Sequence, residues 1–158
     1  MSDSPLDFRR VTMMVNNIET PLKIYRDILG MGTFYDEEFV VEGNKLPAGV
    51  PGAKCRLVIL KGNDPYIGML GILCYMDPPL PATPPRPEPN RVQAGEIVFV
   101  MHHEDVDAVY EQLKEIEGVQ IVSEPVISEY PKGDGVIRVK GMSFFDPNGY
   151  FLEVNQYA

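Results

Sequence analysis

Residues 144–156 read Phe-Phe-Asp-Pro-Asn-Gly-Tyr-Phe-Leu-Glu-Val-Asn-Gln, a turn followed by an apolar strand. Pro147 fixes φ at one corner of the turn and Gly149 tolerates a positive φ, so the chain can reverse there and enter a strand over residues 150–155. Glu153 lies in the middle of that strand, although glutamate is depleted in strands and costly to bury without a partner. We therefore expect Glu153 to face water, a cation, a metal or a substrate.

The composition limits the class of protein. The 158 residues are 44% hydrophobic, enough for one sizeable core or two small repeated modules. The net charge of −9 opposes nucleic acid and anionic membranes as partners and tolerates neutral or cationic small molecules. Cys55 and Cys74 are predicted to be free thiols, and the sequence shows no signal peptide and no membrane-spanning run. These features predict a cytoplasmic protein.

A proline-rich segment divides the chain. Seven prolines lie within residues 77–93, so no regular helix or strand is expected there. Such a segment favours the extended polyproline II conformation, and we interpret it as a semi-rigid linker between two halves. A recruitment site for a proline-binding domain is the alternative, because residues 81–84 fit the Pro-x-x-Pro spacing.

The two halves share one order of elements: a strand, a helix and then three strands. In the first half, apolar residues recur at helical spacing from Ile18 to Leu29, and Gly30 ends the helix. In the second half, a similar stripe runs from Val106 to Ile116 and ends at Gly118. The predicted strands are 8–15, 33–41, 54–60 and 67–75 in the first half, and 96–101, 119–122, 136–140 and 150–155 in the second.

Nearly constant offsets between the halves predict an α+β fold built from two βαβββ modules, residues 8–76 and 94–157, within one domain of residues 1–158. In this alignment Arg10 corresponds to Glu96, 86 positions later, and Gly71 corresponds to Glu153, 82 positions later. Side chains alternate between the two faces of a strand, so these four positions share one face of the sheets.

That face has the composition of a ligand cup, because it is mostly apolar with three charged residues. The opposite face is apolar and able to receive the helices. Beside the charged residues Arg10, Glu96 and Glu153, the predicted ligand-binding residues are Thr12, Met14, Gly71, Tyr75, Val98 and Phe151.

The chain resembles the vicinal oxygen chelate superfamily, which includes glyoxalase I, methylmalonyl-CoA epimerase, extradiol dioxygenases and bleomycin resistance proteins. The resemblance rests on residues 11–15 leading into Leu-Lys-Ile-Tyr-Arg-Asp-Ile-Leu-Gly-Met at 22–31, and on Phe-Asp-Pro-Asn-Gly at 145–149 leading into Leu152-Glu153. It implies paired βαβββ modules that form a glyoxalase-like half-barrel around a site.

Members of this superfamily usually carry metal ligands at the four positions found above. Here those positions hold Arg10, Gly71, Glu96 and Glu153, of which arginine and glycine offer no side-chain ligand. Glu96 and Glu153 remain as candidate ligands for a hard divalent cation, so the cofactor is either none or a divalent metal ion. An extradiol dioxygenase is not expected, because its iron requires two histidines and one carboxylate.

Three interpretations of Arg10, Glu96 and Glu153 stay open. The guanidinium and the two carboxylates form a buried charge cluster that organises the cup. Alternatively, one glutamate is a general base or acid and Arg10 holds an enolate or carboxylate of the substrate. In the third, Glu96 and Glu153 hold the metal together with water.

Two functions follow from these interpretations. The first is a lyase or isomerase that acts by proton transfer next to a carbonyl, resembling glyoxalase or epimerase chemistry. The second is a metal-free protein that binds and sequesters a small molecule, resembling the resistance proteins of the superfamily. A homodimer is expected in either case, because open sheet edges favour pairing of modules.

Overall fold

The computed structural model describes residues 3–43, 45–88 and 90–158. The chain divides into two units, Met1–Ala82 and Thr83–Ala158. Each unit contains one four-stranded mixed sheet with one helical segment, so the predicted α+β fold of two βαβββ modules is confirmed.

The first unit begins its sheet with β1, which is followed by the helical segment. A short helix, α1, continues directly as a π-helix before the remaining three strands. The strands are ordered β1-β4-β3-β2, with β1 parallel to β4 and the other pairs antiparallel. The elements are β1 Arg10–Val15, α1 Glu19–Pro21, the π-helix Leu22–Ile28, β2 Gly32–Val41, β3 Ala53–Lys61 and β4 Met69–Asp77.

The second unit repeats this topology. Its strands are ordered β5-β8-β7-β6, again with the first pair parallel and the others antiparallel. Helix α2 begins where the Asp105 carboxylate accepts a hydrogen bond from the Ala108 amide at 3.0 Å, as an N-cap residue does. The elements are β5 Val98–His102, α2 Val106–Leu113, β6 Gln120–Lys132, β7 Gly135–Phe145 and β8 Phe151–Tyr157.

One face of each sheet contributes to a core, as the alternating pattern predicts. In the first unit the buried residues include Met13 and Ile72 of the strands and Leu22 of the π-helix. In the second unit Leu152 and Val154 of β8 are fully buried, as is Val109 of α2. No helix within the described ranges is long and apolar enough to cross a membrane.

The turn between β7 and β8 is built around the buried carboxylate of Asp146. Its Oδ1 accepts hydrogen bonds from the amides of Asn148 and Tyr150, both at 2.9 Å. The Asp146 amide donates to the Tyr150 carbonyl at 2.8 Å, and Gly149 has a φ of 92°. The turn therefore fixes the register in which β8 leaves β7.

The second module departs from the sequence prediction in its strand lengths. β6 and β7 have 13 and 11 residues and form one long hairpin, whereas the sequence predicts strands of about four or five residues there. From sequence, Pro125 and Pro131 predict interruptions of the strand. However, β6 is an edge strand, where a proline on the outer side costs no ladder hydrogen bond. The predicted strand 96–101 begins two residues late, at Val98.

The boundary between the two units falls inside the predicted linker of residues 77–93, after Ala82. The described residues from Thr83 onward belong to the second unit, and Pro89 lies outside the described residues. The proline-rich segment is thus divided between the modules.

Candidate functional site

The open face of the second sheet carries a row of side chains across four strands. Glu153 of β8 is paired with Val100 of β5 on one side and with Ser143 of β7 on the other. Ser143 is paired in turn with Ser123 of β6. Because directly paired residues point to the same side of a sheet, this row places one carboxylate beside two hydroxyls.

The next row is centred on a glycine. Gly141 of β7 is paired with Asn155 of β8 and with Val126 of β6. A Cβ atom added to Gly141 would lie 2.5 Å from Oδ1 of Asn155. The missing side chain therefore allows the Asn155 amide to lie across β7.

These rows line a cavity of about 600 Å³, which we call the second-module cup. This volume is within the range of small-molecule sites. Hydroxyl, amide and carboxylate groups mix with apolar walls, and Glu153 is the one charged residue of the lining. The lining residues are Ser123, Val126, Ser128, Tyr130, Val139, Gly141, Met142, Ser143, Glu153 and Asn155.

Three of the predicted site residues lie on the open face of the second sheet. Glu153 is half-buried and lines the cup. Phe151 is half-buried, and its ring centroid lies 5.0 Å from that of Phe145. Its partner on β5, Val98, is exposed. Phe151 and Val98 therefore flank the Glu153 row at one end of the sheet.

Glu96, the other predicted carboxylate, is bound by an arginine that the sequence analysis does not single out. The guanidinium of Arg86 donates to the Glu96 carboxylate at 2.5 Å, and the Gln93 amide donates to the same oxygen at 2.6 Å. These hydrogen bonds lower the pKa of Glu96, with the Arg86 bond as the larger cause. The expected pairing of a guanidinium with Glu96 exists, but Arg86 provides it.

Arg86 attaches the segment before β5 to the second module. Its guanidinium donates to the carbonyl oxygens of Gly149 at 3.1 Å and Arg91 at 2.6 Å, and lies 4.3 Å from the ring centroid of Phe145. One cation thus joins the turn before β8, the sheet and an irregular segment. We call residues 83–97 the strap.

Glu96 lies in the strap, whereas Glu153 lies on β8. Glu96 lies four residues before Val100, the β5 partner of Glu153, which corresponds to about 13 Å along an extended chain. The strand register makes Val98, rather than Glu96, the counterpart of Arg10. Val98 lies two residues before Val100, the partner of Glu153, and Arg10 lies two residues before Thr12, the partner of Gly71. The two carboxylates do not fit as joint ligands of one metal ion.

Other candidate metal ligands are not clustered either. Within residues 3–43, 45–88 and 90–158, no group of three or more histidine, cysteine, aspartate or glutamate side chains is placed to hold a metal ion. The donor set of the described chain therefore does not fit the divalent metal that the resemblance implies.

The first module holds the remaining predicted residues. Arg10 and Thr12 are exposed on β1, and Met14 is half-buried. Thr12 is paired with Gly71 of β4, where an added Cβ would lie 2.6 Å from Oγ1 of Thr12. Arg10 belongs to the first unit and Glu96 and Glu153 to the second, so a cluster of these three residues stays a prediction.

Tyr75 is fully buried in the first module. It belongs to a cluster with Ala53, Cys55 and Leu73, against which Ala48 and Leu80 pack. Its hydroxyl has no hydrogen-bond partner in the described part of the chain, and burial raises its pKa. Tyr75, predicted as a ligand-binding residue, is a core residue in this structure.

Several residues of the site are absent from the sequence prediction. Ser123, Ser128 and Tyr130 lie on β6, whose length the prolines conceal. Asn155 follows Glu153 at the spacing of two that brings side chains to one face, and this signal could have found it. Arg86 carries no sequence signal, because it reaches Glu96 through an irregular segment.

Comparisons with known proteins identify the family. The family model described as Glyoxalase/Bleomycin resistance protein/Dioxygenase superfamily matches residues 8–154. The chain belongs to this superfamily. The predicted resemblance and the glyoxalase-like fold of paired βαβββ modules are confirmed.

Solved structures share the fold at low sequence identity. A glyoxalase family protein from Bacillus cereus matches with a TM-score of 0.72 and 14% identity, covering 99% of this chain and 98% of that one. The trypanothione-dependent glyoxalase I of Leishmania major matches with 0.56 and 17%, covering 94% and 85%. The antibiotic-binding protein TnmS3 from Streptomyces sp. CB03234 matches with 0.54 and 19%, covering 100% and 99%. A search of curated proteins gives no match.

Replacing Arg86 with alanine is expected to release the strap. The variant loses the charged hydrogen bonds to Glu96 and to two carbonyl groups, so the amides of residues 90–97 should exchange with solvent about tenfold faster or more. Hydrogen exchange with mass spectrometry measures this. Arg91→Ala is the matched control, because it removes an exposed arginine and keeps the carbonyl that Arg86 binds. Equal exchange in the two variants would contradict the role given to Arg86.

The same ion pair predicts a pH dependence. The pKa of Glu96 is lowered in the folded state, so its contribution to stability is present above the unfolded value of about 4.3 and is lost as pH falls through the folded value. Glu96→Gln should be less stable than the wild type at pH 7, and the difference should shrink as the pH falls below the unfolded value. Urea unfolding of both proteins across this range measures it. A difference that grows on acidification would contradict the pairing.

Replacing Tyr75 with phenylalanine is expected to stabilise the protein. The change removes a buried hydroxyl without a partner and keeps the ring, so the free energy of unfolding should rise by about 1 kcal/mol. Thermal or urea unfolding measures the change, and Tyr66→Phe, at an exposed tyrosine, is the control. A loss of stability in Tyr75→Phe would show that the hydroxyl is satisfied in solution.

Proposed function

We propose that this protein binds a small organic molecule in the second-module cup without a divalent metal. The observation that carries the proposal is the donor set: Glu153 lines the cup, whereas Glu96 lies before β5 and is paired with Arg86. A single glutamate from the family's four metal positions remains in the cup. This arrangement supports binding by hydrogen bonds and apolar contacts.

The lining supports a ligand of mixed polarity. Ser123, Ser128 and Ser143 supply hydroxyls that both donate and accept hydrogen bonds, and Asn155 supplies an amide. Val126 and Val139 add apolar walls. Sites for small molecules commonly combine a few polar groups with such walls. TnmS3, a structural relative, is described as an antibiotic-binding protein, and sequestration of a small molecule is the corresponding function proposed here.

A lyase or isomerase acting by proton transfer is the second candidate. The observation that favours it is the pairing of Glu153 with Ser143, which places a carboxylate next to a hydroxyl inside the cup. Glu153 would take a proton from a carbon next to a carbonyl, and Ser143 would donate a hydrogen bond to the carbonyl oxygen. In this candidate Glu153, rather than the Arg86-bound Glu96, is the general base.

We also propose that the protein is a cytoplasmic homodimer. β1, β2, β5 and β6 are the edge strands of the two sheets, and open edges favour pairing with another copy. Cys55 and Cys74 are buried free thiols, which supports a reducing compartment. The net charge of −9 supports small molecules rather than nucleic acid or anionic membranes as partners.

Replacing Gly141 with alanine is expected to weaken ligand binding without unfolding the protein. The added Cβ would displace the Asn155 amide, whose Oδ1 lies 2.5 Å away, so affinity for a bound compound should fall by about tenfold or more. A thermal-shift screen of small organic compounds finds binders, and calorimetric titration compares the variants. Gly135→Ala in the same strand is the control, because its Cβ would make an ordinary contact at 3.9 Å.

Treatment with a chelator distinguishes the two functions from metal-dependent chemistry. Binding, and any isomerase activity on α-hydroxy or α-keto compounds, should be unchanged after dialysis against EDTA. Loss of binding or activity that returns with a divalent metal would contradict the proposal. Turnover that Glu153→Gln abolishes would favour the enzyme over the binding protein.

A further inference from the structure

We infer that the ligand of the second-module cup is an organic cation, a molecule with an apolar or aromatic body and a protonated amine that pairs with Glu153. This inference rests on the proposed function and goes further by naming the chemical class of the ligand.

The cup has one negative charge and no positive charge in its described lining. The ten lining residues include Glu153 and no lysine, arginine or histidine. Within the described chain, the Glu153 side chain makes no hydrogen bond or ion pair, although it is half-buried. Within the second module its carboxylate is therefore available to a ligand.

Four cations of the second module are bound elsewhere. Arg86 pairs with Glu96 at 2.5 Å, Arg138 lies 3.7 Å from Glu129, and Lys140 pairs with Asp107. Lys114 pairs with Glu111 on helix α2 at 2.8 Å. A cation for Glu153 is thus best supplied by the ligand.

The free energy of covering Glu153 selects the charge of the ligand. A neutral body that fills the cup would remove water from the carboxylate and give no charge in return, which is costly. A protonated amine replaces the lost water with a charge-assisted hydrogen bond, which is stronger than a neutral one. A carboxylate-bearing ligand would add repulsion to the loss of water.

The groups around Glu153 match the donors of an ammonium ion. An ammonium group has three N–H donors and needs three acceptors. Glu153 supplies one, the Ser143 hydroxyl next to it supplies a second, and the Asn155 amide oxygen in the neighbouring row supplies a third. The remaining volume of the cup, between Val126, Val139 and the exposed ring of Tyr130, suits an apolar or aromatic body.

Three matched fluorescent probes test the inference. Dansylcadaverine carries a protonated amine, its N-acetyl derivative is neutral, and dansylglycine carries a carboxylate on the same aromatic body. We expect dansylcadaverine to bind about tenfold more tightly than the neutral probe, and dansylglycine to bind more weakly still, in fluorescence titrations at pH 7.5. Added salt should weaken the binding of dansylcadaverine most.

Two charge-removing variants locate the effect. Glu153→Gln should reduce the affinity for dansylcadaverine by about tenfold and leave that for the neutral probe unchanged. Glu129→Gln removes one exposed acid of β6 outside the cup lining and should leave both affinities unchanged. Equal losses in the two variants would indicate a general attraction to the acidic protein and would overturn the inference.

The remaining outcomes separate this inference from the proposed function. If the wild type binds all three probes equally and Gly141→Ala weakens each of them, the cup binds small molecules but does not select cations, and the inference is wrong. If the wild type binds none of the probes at millimolar concentration, both the inference and the proposed function are overturned.

Discussion

The buried carboxylate of Asp146 fixes the geometry on which the candidate site depends. Its hydrogen bonds to the amides of Asn148 and Tyr150 close the turn between β7 and β8 and set the register of the two strands. In that register Glu153 lies opposite Ser143, and Leu152 and Val154 point into the core. A shift of one residue would exchange these faces, burying the carboxylate in the core. The turn thus connects the most recognisable motif of the sequence to the chemistry of the cup.

The strap determines which carboxylates of the second module are free to bind a ligand or a metal ion. Arg86 pairs with Glu96, contacts the ring of Phe145 and binds the turn carbonyl of Gly149. One arginine therefore neutralises Glu96, which the offsets in the sequence place at a metal position, and attaches an irregular segment to the module. The charge left in the cup belongs to Glu153, and this is the basis of our proposal that the site binds a compound of complementary charge.

The local parts of the structure could be predicted from the sequence. The turn at residues 146–149, the end of the first helical segment before Gly30 and the orientation of Glu153 follow from backbone preferences and alternation within a few residues. The sequence predicts a second helix that runs to Gly118, but α2 ends at Leu113 and residues 114–118 form turns. The long β6 could not be predicted, because Pro125 and Pro131 suggest breaks unless the strand is known to be an edge. The Arg86–Glu96 pair could not be predicted either, because an irregular segment has no period from which a contact can be inferred. Tyr75 follows the face pattern correctly, but packing within the first module makes it a core residue.

If Glu153 faces the cup while Arg86 binds Glu96, the two carboxylates do not share a metal ion. Anomalous diffraction from crystals grown with millimolar Mn²⁺ tests it most directly. We expect density for the Arg86–Glu96 pair and no anomalous peak bridging Glu96 and Glu153. A manganese ion coordinated by both carboxylates would contradict this arrangement.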